Sequence, residues 1–477
     1  MITNPSDLED PNAGFPRISS GNPDVDKILG GGFPANSINI IMGQPGTGKT
    51  IFVQQMVFEN ARDDNPVLYL TTLSEPLSKV IKYLQRFNFY DENKLGSAVT
   101  YQDIGPELAE HGISVLKDLL KEAIQSIGPK IIVIDSFKAL HAVSSSIAEM
   151  RRAIYEISGV LAAYETTVFL VGEYTEEQSR LQPEFAVADG IVQFFRQEKS
   201  NRDERFMRVL KLRGSRYSEG VHGFRIHETG LQVFPRLVTP EIPVRYQIIT
   251  ERVSTGVEGF DKLLGGGLWR GSTTLLAGPT GAGKTTIGAQ FAIEGLRLGE
   301  PSLYINFQEN PTQLARMFGS YGVDLAEAKE SGLHALYESP VELQIDSVVS
   351  RIFRMLNEHN LRRVVIDSLG DLSVAAGDPQ RLHDYMYSLM QHFVIHRTTC
   401  IITAESSAAD YNSSTGIFGL FSYMSDNVVR LEVNITDRLQ RTVCVTKSRG
   451  TAHDLNVHTL DLGAKGARIV WPDPPTP

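Results

Sequence analysis

One glycine-rich pattern occurs twice in the chain, and a lysine and a threonine close both copies. The two stretches run from Gly43 to Thr50 and from Gly278 to Thr285, and both fit G-x-x-x-x-G-K-[ST]. In such a loop, backbone N–H groups turn toward phosphate oxygens, the lysine reaches the β- and γ-phosphates, and the threonine hydroxyl binds Mg²⁺. The sequence therefore predicts two ATP-binding loops with the contact residues Gly43, Gly46, Thr47, Gly48, Lys49, Thr50, Ile51, Gly278, Thr280, Gly281, Ala282, Gly283, Lys284, Thr285 and Thr286.

Each loop also has the neighbours that a phosphate-binding loop requires. Residues 37–42 and 273–277 precede the loops and are typical of strands, and residues 51–61 and 286–298 follow with apolar side chains at helical spacing. A glycine-rich turn that precedes a lysine by chance would have to occur twice in this context. We therefore favour nucleotide binding in both copies.

An aspartate ends a later apolar strand in each copy. Asp135 follows residues 131–134, and Asp367 follows residues 364–366. A carboxylate at this place can hold Mg²⁺ opposite the threonine of the loop, Thr50 or Thr285. The alternative is an ordinary acid at a strand terminus, but its recurrence in both copies favours the metal-binding interpretation.

A glutamate follows the strand after each loop, Glu75 in the first copy and Glu309 in the second. Such a glutamate can polarise the water that attacks the γ-phosphate, which makes both residues candidate catalytic bases. The alternative is an acid that stabilises a helix N-terminus. Pro76 and Pro311 suit a helix start, and both roles can coexist at one position.

Basic residues lie at the end of a late strand in each copy: Lys211 and Arg213, then Lys447 and Arg449. Arg205 and Arg441 each precede the lysine by six residues, and period-two alternation predicts that they lie partly on the same face. The alternative is a solvated cationic edge strand. The functional interpretation is a clamp on the γ-phosphate of ATP in a neighbouring subunit, which would close the subunits into a ring.

The length and composition are those of a soluble protein with more than one domain. The chain has 477 residues and a net charge of −10, and it contains only two cysteines, Cys400 and Cys444. No apolar run approaches the ~20 residues of a membrane span, and residues 1–15 lack the apolar core of a secretion signal. We expect a cytoplasmic protein without a disulfide framework, and the net charge offers no general attraction to nucleic acid.

The landmarks described above recur at a nearly constant offset, which indicates duplication of a whole domain. The two loop lysines, Lys49 and Lys284, are 235 residues apart. Within each copy, short β-rich runs alternate with helical patterns, which predicts an α/β fold: two tandem P-loop domains, each with a mainly parallel twisted sheet between helices. We expect a disordered segment at 1–15, domains at 16–240 and 241–471 joined within residues 235–251, and a disordered tail at 472–477.

Taken together, these residues resemble the RecA-like ATPases, and among them the KaiC family of tandem-domain ATPases associated with the cyanobacterial circadian clock. Residues 254–267 and 447–453 are particularly similar, and the resemblance covers residues 17 to 470. It implies a homohexameric double ring with ATP and Mg²⁺ between subunits, slow ATPase activity, and Ser/Thr autokinase activity in the second domain. The expected contacts to the neighbour's ATP are Arg205, Lys211, Leu212, Arg213, Ser215, Arg441, Lys447, Ser448, Arg449, Thr451 and His453.

The chain departs from the family pattern at two sites. The family's Glu-Glu pairs read Ser74-Glu75 and Gln308-Glu309, and the Ser-Thr phosphorylation site aligns with Ser422-Tyr423, which leaves Ser422 as the candidate phosphosite. The sequence continues for six residues after Trp471, and we expect the longer tail to which the clock partner KaiA binds to be missing. We therefore expect a KaiC-like ATPase outside a full cyanobacterial clock, with a KaiB-like or other signalling partner. The alternatives are an ATP-gated scaffold and, less favoured, a RadA-like DNA-dependent recombinase.

Overall fold

The computed structural model describes residues 16–72, 77–199, 202–240, 249–340, 343–406, 417–435 and 437–471. Internal contacts divide the chain into two units, Met1–Arg236 and Leu237–Pro477. Both units have the same architecture, which is described for each unit by itself. None of the described helices is long and apolar enough to cross a membrane.

The first unit contains eleven strands and eight helices in its described part. The strands are β1 Arg17–Ile18, β2 Phe33–Pro34, β3 Ile38–Gly43, β4 Val67–Thr71, β5 Val99–Asp103, β6 Ile131–Asp135, β7 Thr167–Gly172, β8 Gly190–Lys199, β9 Arg202–Leu212, β10 His222–His227 and β11 Gly230–Phe234. The helices are α1 Pro23–Ile28, α2 Lys49–Asn60, α3 Leu77–Leu84, α4 Gly105–His111, α5 Leu116–Ile127, α6 Ile147–Ala163, α7 Glu176–Ser179 and α8 Glu184–Val187.

The second unit repeats this order. Its strands are β12 Arg252–Val253, β13 Leu268–Trp269, β14 Thr273–Gly278, β15 Ser302–Asn306, β16 Leu333–Tyr337, β17 Arg363–Asp367, β18 Thr399–Glu405, β19 Asn427–Ile435, β20 Leu439–Ser448, β21 His458–Gly463 and β22 Gly466–Val470. Its helices are α9 Phe260–Leu263, α10 Lys284–Leu298, α11 Pro311–Ser320, α12 Leu325–Glu330, α13 Ile345–His359, α14 Leu369–Ala376, α15 Pro379–His396 and α16 Ile417–Met424.

Each unit is built on a nine-stranded sheet, in the order β11-β10-β9-β8-β3-β7-β6-β4-β5 in the first and β16-β15-β17-β18-β14-β19-β20-β21-β22 in the second. Six neighbouring strands of each sheet are parallel, and the remaining three form an antiparallel extension. The parallel strands are apolar because helices cover both faces, which gives two separate hydrophobic cores per sheet. The predicted tandem α/β fold is confirmed.

The chain passes from one unit to the other within the predicted linker. Leu237 packs against the core of the second unit, the Val238 carbonyl accepts a hydrogen bond from His392, and the Thr239 hydroxyl lies 2.8 Å from that of Ser388. These contacts place residues 237–239 with the second unit, slightly before the predicted boundary at residue 240. The predicted disordered segments 1–15 and 472–477 lie outside the described residues.

Candidate nucleotide sites

In each unit the glycine-rich loop joins the central parallel strand to the helix behind it, β3 to α2 and β14 to α10. Both helices begin at the loop lysine, and the preceding Gly48 and Gly283 have φ of 100°. Gly43 has φ of 152°, and a Cβ there would lie 2.0 Å from the Phe194 carbonyl oxygen, so only glycine fits. The confirmed strand-loop-helix geometry aims backbone N–H groups and the positive helix end at one point, which suits phosphate.

The loop lysines are buried and point into their own loops. The ammonium of Lys49 donates to the Gln44 carbonyl at 2.9 Å, and that of Lys284 donates to the carbonyls of Gly278 and Pro279, both at 2.9 Å. Burial lowers the pKa of both lysines below the usual value, while nearby carboxylates act in the opposite direction. A bound phosphate would add a further attraction that favours the charged lysine.

The predicted metal ligands lie together in both units. The Thr50 hydroxyl donates to an Asp135 oxygen at 3.1 Å, and the Thr285 hydroxyl donates to an Asp367 oxygen at 2.9 Å. These are the hard oxygen ligands that Mg²⁺ prefers, and Mg²⁺ commonly takes only one or two protein ligands beside phosphates and waters. The donor set of both sites therefore fits Mg²⁺.

A tyrosine donates a hydrogen bond to the predicted metal-binding aspartate in each unit. Sequence reasoning missed this contact. The hydroxyl of Tyr69 donates to Asp135 at 2.7 Å, and that of Tyr304 donates to Asp367 at 2.8 Å. Burial raises the pKa of both tyrosines well above the usual value, so each hydroxyl keeps its proton and stays a donor. The signal was available, because both tyrosines occupy the same repeat position in the strand after the loop helix.

Replacing either tyrosine with phenylalanine tests this arrangement. We expect Tyr304→Phe to weaken Mg²⁺ activation of ATP turnover by about tenfold, since the partners that orient metal ligands commonly contribute this much. Mg²⁺ titration of phosphate release in a Lys49→Ala background measures the effect at the second site alone. Tyr321→Phe, which changes a half-buried tyrosine outside this pair, is the control. Equal Mg²⁺ dependence in Tyr304→Phe and wild type would contradict the assignment.

The structure describes only one of the two candidate catalytic glutamates. Glu309 lines the second cavity together with Gln308, and Glu75 lies outside the described residues. The flanking strands β4 and β15 begin and end 235 residues apart, which matches Ser74 with Glu309 and Glu75 with Asn310. Asn310 is the N-cap of α11, and its side chain accepts a hydrogen bond from the Gln313 amide. By this register the two glutamates do not occupy equivalent positions.

A further acid lines each cavity at an equivalent place, and sequence reasoning missed it. Glu173 directly follows β7, and Glu405 ends β18, each beside the central strand that leads into the loop. The first cavity has a volume of about 840 Å³ and the second about 400 Å³. Both are lined by the loop, the predicted metal-binding aspartate and this further acid. The separation of Glu173 and Glu405 equals that of Asp135 and Asp367, so the sequence contained a signal for this acid.

The Lys-x-Arg pairs lie at the opposite end of each sheet from the glycine-rich loop of the same chain. Along β3, Asn39 is opposite Gly190 of β8, which in turn is opposite Leu212 of β9, whereas the loop begins at Gly43. At about 3.3 Å per residue, this separates the two features by about 13 Å along the sheet. In the second unit, Thr274 is opposite Asn427, which is opposite Ser448. Neither pair is therefore placed to serve the loop of its own unit.

The structure does not bring Arg205 together with Lys211 and Arg213, nor Arg441 with Lys447 and Arg449. A bulge in β9 interrupts the alternation, because Lys211 is opposite Ile191 while Val209 is opposite Val192. The equivalent bulge in β20 lies between Val445 and Lys447. The predicted shared face is wrong for this reason, since the inserted residue shifts the pattern by one.

The two early arginines lie instead toward the loop end of their own unit. Arg205 is opposite Arg196, whose guanidinium donates to the Pro45 carbonyl at 2.9 Å. Arg441 lines the second cavity and donates to the Gly281 carbonyl at 2.7 Å. Arg441 therefore contacts the loop of its own chain, whereas the sequence assigned it to the ATP of a neighbour.

The arginines of the two Lys-x-Arg pairs each lie near an aspartate at the strand end. Arg213 forms an ion pair with Asp189 at 3.3 Å, and Arg449 lies 4.0 Å from Asp426. The other predicted contact residues make these hydrogen bonds: Ser215 accepts from Arg17, Ser448 donates to Asn427, Thr451 accepts from Arg252 and Trp269, and a His453 ring nitrogen lies 3.4 Å from the Thr451 carbonyl. Leu212 is buried in the core of the first unit.

Lys447 holds the end of the helix that carries Ser422. Its ammonium donates to the carbonyls of Ser422 at 2.7 Å, Tyr423 at 3.1 Å and Ser425 at 2.7 Å. These bonds use all three donors of the lysine at the negative end of α16. The ammonium of Lys211, the counterpart in the first unit, makes no hydrogen bond with any residue that the structure describes.

This difference predicts unequal effects of two equivalent substitutions. We expect Lys447→Met to speed amide hydrogen exchange in α16, because losing a cation at a helix C-terminus costs about 0.5 kcal/mol or more. Lys211→Met is the matched control, and it should leave exchange in its own unit unchanged. Peptide-resolved exchange of the nucleotide-free protein measures both. Unchanged exchange in α16 after Lys447→Met would count against the capping role.

The similarity to known proteins agrees with this geometry. A family model described as "ATPase: KaiC" matches residues 18–238 and again 253–474. The chain is 27% identical over 465 residues to a "Circadian clock oscillator protein KaiC" of Picosynechococcus, covering 93% of this chain and 88% of that protein. It is 27% identical over 483 residues to that of Thermostichus vulcanus (97% and 91%), and 26% identical over 465 residues to "Circadian clock protein KaiC2" of Synechocystis (95% and 81%).

The family model thus matches two repeats that together span most of the chain. Each repeat contains a glycine-rich loop and a threonine–aspartate pair at the carboxyl end of a parallel sheet. The chain belongs to the KaiC family of ATPases.

Proposed function

We propose that the protein is a homohexameric ring that binds ATP and Mg²⁺ between subunits and hydrolyses ATP. The observation that carries this proposal is the separation within each unit: the glycine-rich loop lies at one end of the sheet, and the Lys-x-Arg pair lies at the other. A cationic pair that cannot reach its own loop is suited to the loop of the next subunit. Such a head-to-tail contact closes into a ring.

In this proposal each subunit contributes half of a nucleotide site. The loop amides and Lys49 or Lys284 bind the β- and γ-phosphates, and the threonine–aspartate pair holds Mg²⁺. Lys211 and Arg213, or Lys447 and Arg449, stabilise the charge that develops on the γ-phosphate of the neighbour. Of the acids identified from the sequence, Glu309 faces the second cavity and is suited to polarise water. Glu75 is the sequence-based candidate for this role in the first unit, although its position in the repeat differs from that of Glu309.

A direct test combines particle mass with phosphate release. We expect the wild-type protein to form hexamers with ATP and to release phosphate slowly, and we expect Lys49→Ala with Lys284→Ala to lose phosphate release. Hexamers without phosphate release would favour the alternative, a scaffold whose assembly is gated by ATP. Stimulation of ATPase activity by single-stranded DNA that weakens with salt would favour the recombinase alternative.

The second unit has the features of a candidate autokinase. Ser422 lies on α16, its hydroxyl donates to the Gly419 carbonyl, and the clamp residue Lys447 contacts the Ser422 backbone. We propose Ser422 as the phosphorylated residue, with a cytoplasmic signalling or clock-like role and a KaiB-like or other protein as partner. Mass spectrometry after incubation with ATP tests the site, with Ser422→Ala as the control. Unmodified wild-type protein under all conditions would remove the kinase proposal and leave the ATPase proposal intact.

A further inference from the structure

Both nucleotide cavities contain an acid that belongs neither to the glycine-rich loop nor to the metal-binding pair. Glu405 ends β18 and is opposite Gly278, the first residue of the second loop. Glu173 follows Gly172, which is opposite Met42, so Glu173 lies next to Gly43 at the start of the first loop. Both side chains are exposed and line the cavity of their unit. The two acids therefore occupy equivalent places in the two sites.

The strand order brings these acids closer to the loop than Glu309. From the loop strand outward, the second sheet runs β14, β18, β17 and β15. Glu405 ends the first neighbour, Asp367 ends the second, and Glu309 follows the third. Neighbouring strands lie about 4.8 Å apart. The strand that precedes Glu309 is therefore about 14 Å from the loop strand, whereas Glu405 belongs to the strand next to it. Glu405 thus lies between the loop and the metal-binding aspartate.

The contacts of the two acids leave their carboxylates directed to the cavity. The Thr280 hydroxyl, itself part of the loop, donates to Glu405 at 2.7 Å. The Glu173 carboxylate makes no hydrogen bond with any described residue, while its backbone carbonyl accepts one from the Lys138 ammonium. The chain position of Glu173 is therefore anchored, and its charge is free to face a ligand.

The electrostatics of the loop lysines show how near these acids are. Burial lowers the pKa of Lys49 and Lys284, and the strongest opposing influence is Glu173 on Lys49 and Glu405 on Lys284, ahead of the metal-binding aspartates. A carboxylate so close to a phosphate-binding lysine also repels the phosphates of a nucleotide. Its presence therefore weakens ATP binding. We expect a residue that weakens binding in this way to contribute to the reaction itself.

We propose that Glu173 and Glu405, rather than Glu75 and Glu309, are the bases that accept the proton of the attacking water at the first and second sites. This inference rests on the proposed ATP hydrolysis. The water oxygen forms a bond to the γ-phosphorus, the bond from that phosphorus to the bridging oxygen breaks, and ADP leaves with the electron pair. The water proton passes to the carboxylate and from there to solvent. Thr280 positions Glu405 by its hydrogen bond.

Glu→Gln substitutions test the proposal one site at a time. Glu405→Gln is made in a Lys49→Ala background, and Glu173→Gln is made in a Lys284→Ala background. We expect phosphate release to fall by about 100-fold while ATP binds as tightly as before or more tightly, because the amide cannot take the proton and no longer repels phosphate. Equilibrium binding of ATP and phosphate release give the two readings. Glu309→Gln, in the Lys49→Ala background, compares the candidate base that the sequence identified in the second cavity.

The outcomes separate this inference from the proposed function. Unchanged phosphate release in both variants would overturn the inference and leave ATP hydrolysis standing. Loss of ATP binding in parallel with phosphate release would also overturn it, since that indicates a merely structural role. No phosphate release by wild-type protein would overturn both proposals.

Discussion

Two variants that each inactivate the first nucleotide site should restore one another's activity when their subunits are mixed. Lys49→Ala removes the loop lysine, and Arg213→Ala removes the arginine at the opposite end of the sheet. Each should lower phosphate release by about 1,000-fold, a usual contribution of an arginine that stabilises phosphoryl transfer. Random mixing places both intact residues at about one interface in four, so the mixed rings should regain about a quarter of the parent rate. Both variants carry Lys284→Ala, which silences the second site.

The control mixes two variants that damage the same half of the site. Lys49→Ala and Asp135→Ala subunits leave no interface with an intact loop side, because both residues belong to one subunit's cavity. Phosphate release should stay at the level of either variant alone. Mass photometry verifies that every mixture forms rings. A failure of the Lys49→Ala and Arg213→Ala mixture to recover, in rings of normal mass, would exclude catalysis between subunits.

Arg363→Met should produce the largest loss of stability that the contacts of the second unit predict. This arginine begins β17 and is 1% exposed. Its guanidinium donates to Glu300 at 2.6 Å and to the carbonyls of Ser254 at 2.7 Å and Phe291 at 3.2 Å. Removing one partner of a buried ion pair costs about 3–5 kcal/mol. We expect the lower end of this range, because Glu300 keeps its ion pair with Arg270. Chemical unfolding followed by the fluorescence of the second unit measures the loss.

A double substitution provides the control for this prediction. Arg363→Met with Glu300→Gln also removes the Glu300 charge, which Arg270 alone would otherwise neutralise. The double variant should therefore recover part of the lost stability. The first unit supports this expectation. Ile131 begins the equivalent strand β6 and is fully buried, so an apolar side chain can take the place of the arginine. Equal stability of Arg363→Met and wild type would show that the ion pair contributes nothing.

The sequence by itself determined the parts of this protein that depend on local chemistry. The two glycine-rich loops, the aspartates 135 and 367 and the alternation of strands with helices could be predicted because each rests on residue types at short, fixed spacing. The apolar parallel strands could be predicted for the same reason, since burial on both faces leaves a continuous hydrophobic run. The duplication followed from the constant offset between these features. Together they sufficed to identify the KaiC family.

The tertiary structure decided what depends on strand register and on neighbours distant in sequence. One inserted residue in β9 and in β20 separates Arg205 from Lys211 and Arg441 from Lys447, and simple alternation cannot reveal a bulge. Tyr69 and Tyr304 read as ordinary strand residues until the fold sets each beside its aspartate. Only sheet order reveals Glu173 and Glu405 as neighbours of the loops, because the strands that carry them follow the loops by more than a hundred residues.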